Sequence, residues 1–332
     1  MLYEGILSLT ITMLEDPLTK LTVLLAFFVG TAFTQVPQTP PSPQQGSTKG
    51  ARGDAPDPSP GKELPCPQGK KKKEEARFGN YVIRTYRGPE MEGCLQILKS
   101  GTVIYSLVSE DFKIGNNFWH GAPIPVGTDI TGTGSPNVIV SEWSGGAHCC
   151  YTLHVFEIGD KFREIARIQA DHGDGSNFED LNHDGSYEFV GYDWAFAYWR
   201  TSFMSSPAPR IVLNYREGRF RLALDLMRTA GPTQEKLAEM IELVRSDREW
   251  SPKTNSDCDQ DCNVPVALWR DMLDLIYEGH SDMAWKLFDE SWPKNLDGKP
   301  TFAKQFCGQL RKSRYWRDLK DTVGQCPPKI SR

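Results

Sequence analysis

The sequence predicts a β-rich α+β protein, with antiparallel, blade-like β repeats in a partial propeller-like stack or a sandwich, followed by a helical C-terminal region. Three observations predict it. Glycine-containing hairpin patterns recur at a spacing of about 50–60 residues. Two polar, Asp-initiated loops lead directly into apolar strands between those hairpins. Beyond Gly231-Pro232 the apolar period changes from that of a strand to that of a helix.

The hairpins read as Leu95–Leu107 around Gly101, His154–Ile165 around Gly159, and Arg210–Leu224 around Gly218. Apolar and polar residues roughly alternate on either side of each turn, as half-buried strands require. Between them, Asp129-Ile-Thr131-Gly-Thr133-Gly134-Ser-Pro-Asn137 aligns without gaps on Asp180-Leu-Asn182-His-Asp184-Gly185-Ser-Tyr-Glu188. Two series of matches thus give one repeating unit. In the C-terminal region Leu237, Met240, Ile241 and Val244 follow helical spacing after Pro232, and Leu268, Met272, Leu275 and Ile276 mark a helix from Pro265 to Gly279. Ala284, Leu287 and Phe288 predict a third helix, and residues 301–319 a fourth.

Four segments follow: an export signal or uncleaved anchor over 1–32, a linker over 33–77, the β-repeat region over 78–230 and the helical region over 231–332. The first rests on the apolar run Leu21–Phe33 behind Lys20, with small residues at Gly30-Thr31-Ala32. The acidic residues upstream of the run, Glu4, Glu15 and Asp16, are unusual for a signal, and a misassigned start codon, with translation from Met13 or later, is one explanation. The run is short for a bilayer span, so no stable membrane span is expected once it is cleaved. The linker is rich in Pro, Gln and Ser, a composition that cannot offset its ordering entropy. The run Lys70–Lys73 meets Glu74-Glu75 at once and reads as a solvated junction. A net charge of −5 argues against a nucleic-acid partner.

Eight cysteines in an exported chain read as disulfides. Cys258–Cys262, Cys307–Cys326 and Cys66–Cys94 are plausible pairs by position. Cys149 and Cys150, at the end of Ser144-Gly-Gly-Ala-His148-Cys-Cys150, either close a vicinal ring or pair elsewhere. A redox or soft-metal role with His148 stays open beside the structural one.

The loop 180–188 carries the chemistry. Calcium is a hard cation that takes six to eight oxygen ligands. Asp180, Asn182 and Asp184 present side-chain oxygens at alternate positions, Gly185 permits the sharp turn, Ser186 offers its carbonyl and Glu188 adds a carboxylate. Position 12 is Gly191, so the helix–loop–helix closure is missing. A metal-free Asx turn is the alternative, because Asp, Asn and Gly favour turns in any case. The sister loop at Asp129 keeps one carboxylate and reads as a structural turn. Asp171 and Asp174 either complete the stronger site or line the surface.

Such a loop followed by an apolar strand, repeated at this spacing, resembles the FG-GAP and VCBS-type repeats of integrin α-chain propellers and bacterial exported proteins. The resemblance implies that Asp180, Asn182, Asp184, Ser186 and Glu188 bind calcium. It covers residues 120–225, and Gly121-Ala122-Pro123 is not in register with the family's eponymous triplet. The expectation is therefore an exported module of the periplasm or cell exterior that binds a protein or glycan. An envelope hydrolase using His148, His172, Asp193 or Glu142, and an inhibitor or scaffold, are the alternatives. The strand after the loop is expected to align Val190, Tyr192, Trp194, Phe196 and Tyr198 on one face.

Overall fold

The computed structural model describes residues 66, 69–88, 92–115, 123–146, 150–173, 175–250 and 264–327. The predicted export segment and most of the linker lie outside them, as do Cys149, Cys258 and Cys262. Within them the chain is β-rich, with three four-stranded antiparallel sheets and six α-helices towards the C-terminus. Each sheet is a meander of consecutive strands. The first contains β1 (Lys71–Phe78), β2 (Tyr81–Arg87), β3 (Gly93–Lys99) and β4 (Thr102–Ser109). The second contains β5 (Asp111–Ile114), β6 (Asn137–Trp143), β7 (Tyr151–Ile158) and β8 (Phe162–Asp171). The third contains β9 (Asn177–Glu179), β10 (Glu188–Tyr192), β11 (Arg210–Arg216) and β12 (Arg219–Leu222). Among the described residues no closed barrel or propeller ring is formed.

The predicted hairpins are the third and fourth strands of the three sheets in turn. Two of them turn through a pair of left-handed residues, Ser100-Gly101 and Glu217-Gly218. That conformation matches strand twist, and glycine adopts it without a side-chain clash.

Alternation along the strands divides the interior in two. Val138 and Val140 on β6, with Phe156 and Ile158 on β7, pack against Ile83, Leu95, Ile97 and Tyr105 of the first sheet. Ile139, Leu153 and Val155, on the opposite face, join Phe189, Ile211 and Leu213 of the third sheet and the helices. The second sheet is therefore covered on both faces at β6 and β7, where residues 137–141 and 153–156 are buried without a break.

The helices are α1 (Leu224–Met227), α2 (Gln234–Arg245), α3 (Val266–Tyr277), α4 (Ser281–Ser291), α5 (Lys299–Leu310) and α6 (Trp316–Val323). Thr233 caps α2 by accepting the Lys236 N–H at 3.2 Å. Helix α3 buries Leu268, Trp269, Met272, Leu273 and Ile276 in the core shared with the third sheet.

Three expectations need correction. Strand β1 begins at Lys71, inside the stretch assigned to the linker. Its lysines are exposed, but Lys73 pairs with Asp111 at 2.8 Å and Glu75 with Arg84 at 2.8 Å, so cross-strand charge replaces the missing apolar pattern. The single helix expected over 301–319 is two, because Ser313 and Arg314 leave helical geometry to bond Asp193 and Asp171. Finally, β10 ends at Tyr192. The Asp193 carboxylate accepts the Ala195 N–H at 3.0 Å and starts a turn, so Trp194, Phe196 and Tyr198 do not share a strand face.

The disulfide Cys66–Cys94 ties the residue ahead of β1 to the interior of the first sheet, and Cys307–Cys326 ties α5 to the tail. Cys150 is also disulfide-bonded.

Candidate functional site

The two aligned loops sit at matching places, each leading into the second strand of its sheet. They share one hydrogen-bond scaffold. Asp180 Oδ1 accepts the Asp184 N–H at 3.1 Å and its Oδ2 the Gly185 N–H at 3.2 Å. Asp129 repeats this with Thr133 at 3.3 Å and Gly134 at 2.5 Å. At the other end Glu188 Oε2 accepts the Leu181 N–H at 3.0 Å, as Asn137 Oδ1 accepts that of Ile130 at 3.0 Å. Gly185 and Gly134 are both left-handed, at φ +88° and +81°. The loops also touch: Tyr187 donates its N–H to the Ile130 carbonyl at 2.9 Å, and a Cβ on Gly132 would come within 3.2 Å of the Ser186 side chain.

The loops differ in charge. In the sister loop a Thr131–Thr133 hydroxyl contact at 2.8 Å and the neutral Asn137 fill the places held by Asn182, Asp184 and Glu188. Loop 180–188 thus carries two carboxylates that the turn itself does not need. Glu188 is almost fully buried. Burial, then the charges of Asp184 and Asp180, raise its pKa above the ordinary carboxylate value. Asp184 is exposed and is held below it by the Ser186 hydroxyl at 2.5 Å and amide at 2.8 Å, and by Asn182. Among the described residues no lysine or arginine forms an ion pair with Asp180, Asp184 or Glu188.

The donor set is all oxygen and suits a hard cation better than a soft one. Among the described residues no three acidic, histidine or cysteine side chains are already gathered into a metal-binding group.

The remaining sequence candidates are dispersed. Asp171 is committed to Arg314 at 2.9 Å, away from the loop, while Asp174 and His148 lie outside the described residues. His172 packs edge-on to Trp194, with ring centroids 4.3 Å apart, and lies equally close to Phe203. Asp193 is buried and accepts hydrogen bonds from Tyr277 Oη at 2.5 Å and from Ser313 Oγ, linking the third sheet to the helices. Glu142 joins a buried network with His154 and Glu164, which the sequence reading missed. The available signal was a histidine on the apolar face of a strand, but its partners emerge only from the register of β6, β7 and β8.

No protein family and no solved structure matches the chain. One curated relative, described as a probable thylakoid lumen protein of Synechocystis, is 31% identical over 86 residues, 25% of each chain. The chain thus spans about a quarter of that relative. Among the described residues no helix is long and apolar enough to cross a membrane.

Proposed function

We propose that the protein is an exported, calcium-binding β-repeat module that binds a protein or glycan. The observation that carries calcium binding is the comparison between the two loops. One hydrogen-bond scaffold is complete at Asp129 with neutral side chains, and recurs at Asp180 with Asp184 and Glu188 added. Asp180, Asn182, Asp184 and Glu188 would hold the ion with the Ser186 carbonyl. The ion would supply the positive charge that three neighbouring carboxylates lack, fixing the strand entry. The FG-GAP and VCBS resemblance and a propeller-like reading of the three meanders belong to the same proposal. Export is supported by the disulfides and by the lumenal location in the name of the partial relative.

Calcium at a hundred times its dissociation constant should stabilise the protein by about 2.7 kcal/mol. Differential scanning calorimetry should show a raised Tm that Asp184→Ala abolishes and Asp129→Ala leaves nearly intact. Equal calcium responses in wild type and Asp184→Ala would sink the assignment. Because Glu188 has a raised pKa and binds metal only when ionised, affinity should fall as pH drops through that value.

For the ligand face we assign the loop after β10. There Trp194, Tyr198 and Phe203 form a ring cluster, with Tyr198 62% and Met204 87% exposed. Such rings stack on sugars or grip apolar peptide. Glycan and peptide arrays probed with wild type and Tyr198→Ala should lose signal with the variant. Unchanged array profiles would remove this face from consideration, without bearing on the calcium loop.

A further inference from the structure

His154 on β7 is about 1% exposed, yet both ring nitrogens meet carboxylates: Nε2 lies 2.7 Å from Glu142 on β6 and Nδ1 2.8 Å from Glu164 on β8. Arg167 grips Glu164 through two nitrogens at 2.6 and 2.7 Å. From the first sheet, Tyr105 on β4 places its hydroxyl 3.5 Å from Glu164 and 3.4 Å from Arg167, and its ring packs edge-on to Phe156 at 4.9 Å. Ser109, at the end of β4, donates its hydroxyl to the Trp143 carbonyl on β6 at 3.3 Å. We propose that Glu142, His154, Glu164 and Arg167 form a proton-held cluster across three strands of the second sheet, which Tyr105 ties to the first sheet as a clasp, and that loss of the His154 proton loosens this seam.

With both carboxylates ionised, each only accepts, so both imidazole nitrogens must donate, which only the imidazolium does. The cluster is then neutral, with two positive and two negative groups. Removing the proton leaves one carboxylate facing a ring lone pair, and a net negative charge in a buried seam. An unpaired buried charge is costly, and breaking one member of such a network is felt by the rest.

The groups facing the ring agree on direction. Burial pushes His154 down, but the hydrogen bonds and charges of Glu142 and Glu164 outweigh it and raise its pKa. Burial likewise pushes both glutamates up, but His154, with Arg167 at Glu164, leaves them lowered. Tyr105 is raised, by burial and then by Glu164, and stays a neutral hydroxyl. For a raised histidine the stabilisation is complete below its unfolded value of about 6.5 and vanishes as pH climbs through the folded one. For the lowered glutamates it is complete above about 4.3 and vanishes as pH falls through their folded values. The clasp is thus closed between the lowered glutamate values and the raised histidine value, and opens as pH climbs through the latter.

Nitrogen-15 spectra of the imidazole should show the His154 midpoint raised above the ordinary value of about 6.5. Hydrogen exchange, corrected for intrinsic base catalysis, should show protection along β4 and β7 falling about tenfold through that midpoint, with β11 unchanged. Glu142→Gln should bring both midpoints down together. Glu142 lies at the rim, so this variant is the safer one for folding. His154→Gln should abolish the pH dependence. A ring that titrates at the ordinary value, or one that titrates high without any change along β4 and β7, would overturn the proposal.

Discussion

Asp193→Ala is expected to destabilise the protein by about 2–6 kcal/mol, from about 1–3 kcal/mol for each of two hydroxyls left buried without an acceptor. Those hydroxyls belong to Tyr277 on α3 and to Ser313 between α5 and α6. Both lie in the interior, and Tyr277 is held far above its ordinary pKa, by burial and then by Asp193. Neither group has an escape to water. Asp193→Asn keeps an acceptor oxygen and should cost less than half as much, while Tyr277→Phe, which removes only one donor, should cost about 1 kcal/mol. Urea unfolding followed by tryptophan fluorescence measures all three. A loss below 1 kcal/mol for Asp193→Ala would show that the sheet and the helices do not depend on this hub. The same burial explains why Asp193, a candidate catalytic acid in the sequence, is a structural acceptor in the fold.

Removing the Cys307–Cys326 bridge as a double alanine variant should cost about 3 kcal/mol, from the chain entropy that a bridge of this loop length takes out of the unfolded state. The two residues are 19 apart in sequence. Alanine is the right replacement because Cys307 is fully buried, and a hydroxyl there would need a partner. The Cys66–Cys94 bridge, 28 residues apart, should contribute slightly more by the same account. Chemical unfolding with and without dithiothreitol tests both: wild type should lose stability under reductant, and the double variant less. Equal midpoints for wild type with and without reductant would show that the bridges do not limit unfolding.

Much of the architecture was legible because it is written in local signals. The three hairpins declare themselves through alternation and a glycine at the turn, left-handed in two of them. The two Asp loops align residue for residue, and their hydrogen bonds match in the same order. What escaped notice depends on partners distant in sequence. Strand β1, Lys-Lys-Lys-Glu-Glu-Ala-Arg-Phe, has no apolar face, and becomes a strand only because Arg84 and Asp111 stand opposite its charges. The break between α5 and α6 contains neither glycine nor proline, and exists because Asp193 and Asp171 draw Ser313 and Arg314 aside. His154 was read as one more strand residue. Its chemistry comes from Glu142 and Glu164, which neighbour it only once three strands are in register.

The Cys66–Cys94 bridge also fixes where mechanical load enters the protein. Strand β1 is an outer strand of the first sheet, paired on one side with β2. Tension arriving from the N-terminal side would ordinarily peel such a strand away one hydrogen bond at a time. Here the force reaches Cys66 first and passes through the sulfur bridge to Cys94, on the inner strand β3. Strand β1 then lies in a slack loop behind the bridge, shielded from the pull. The load is borne instead by β3, whose ladders to β2 and β4 must shear together before it can move. A domain held in place through its N-terminal segment would in this way resist being unravelled from that end, for as long as the bridge stays oxidised.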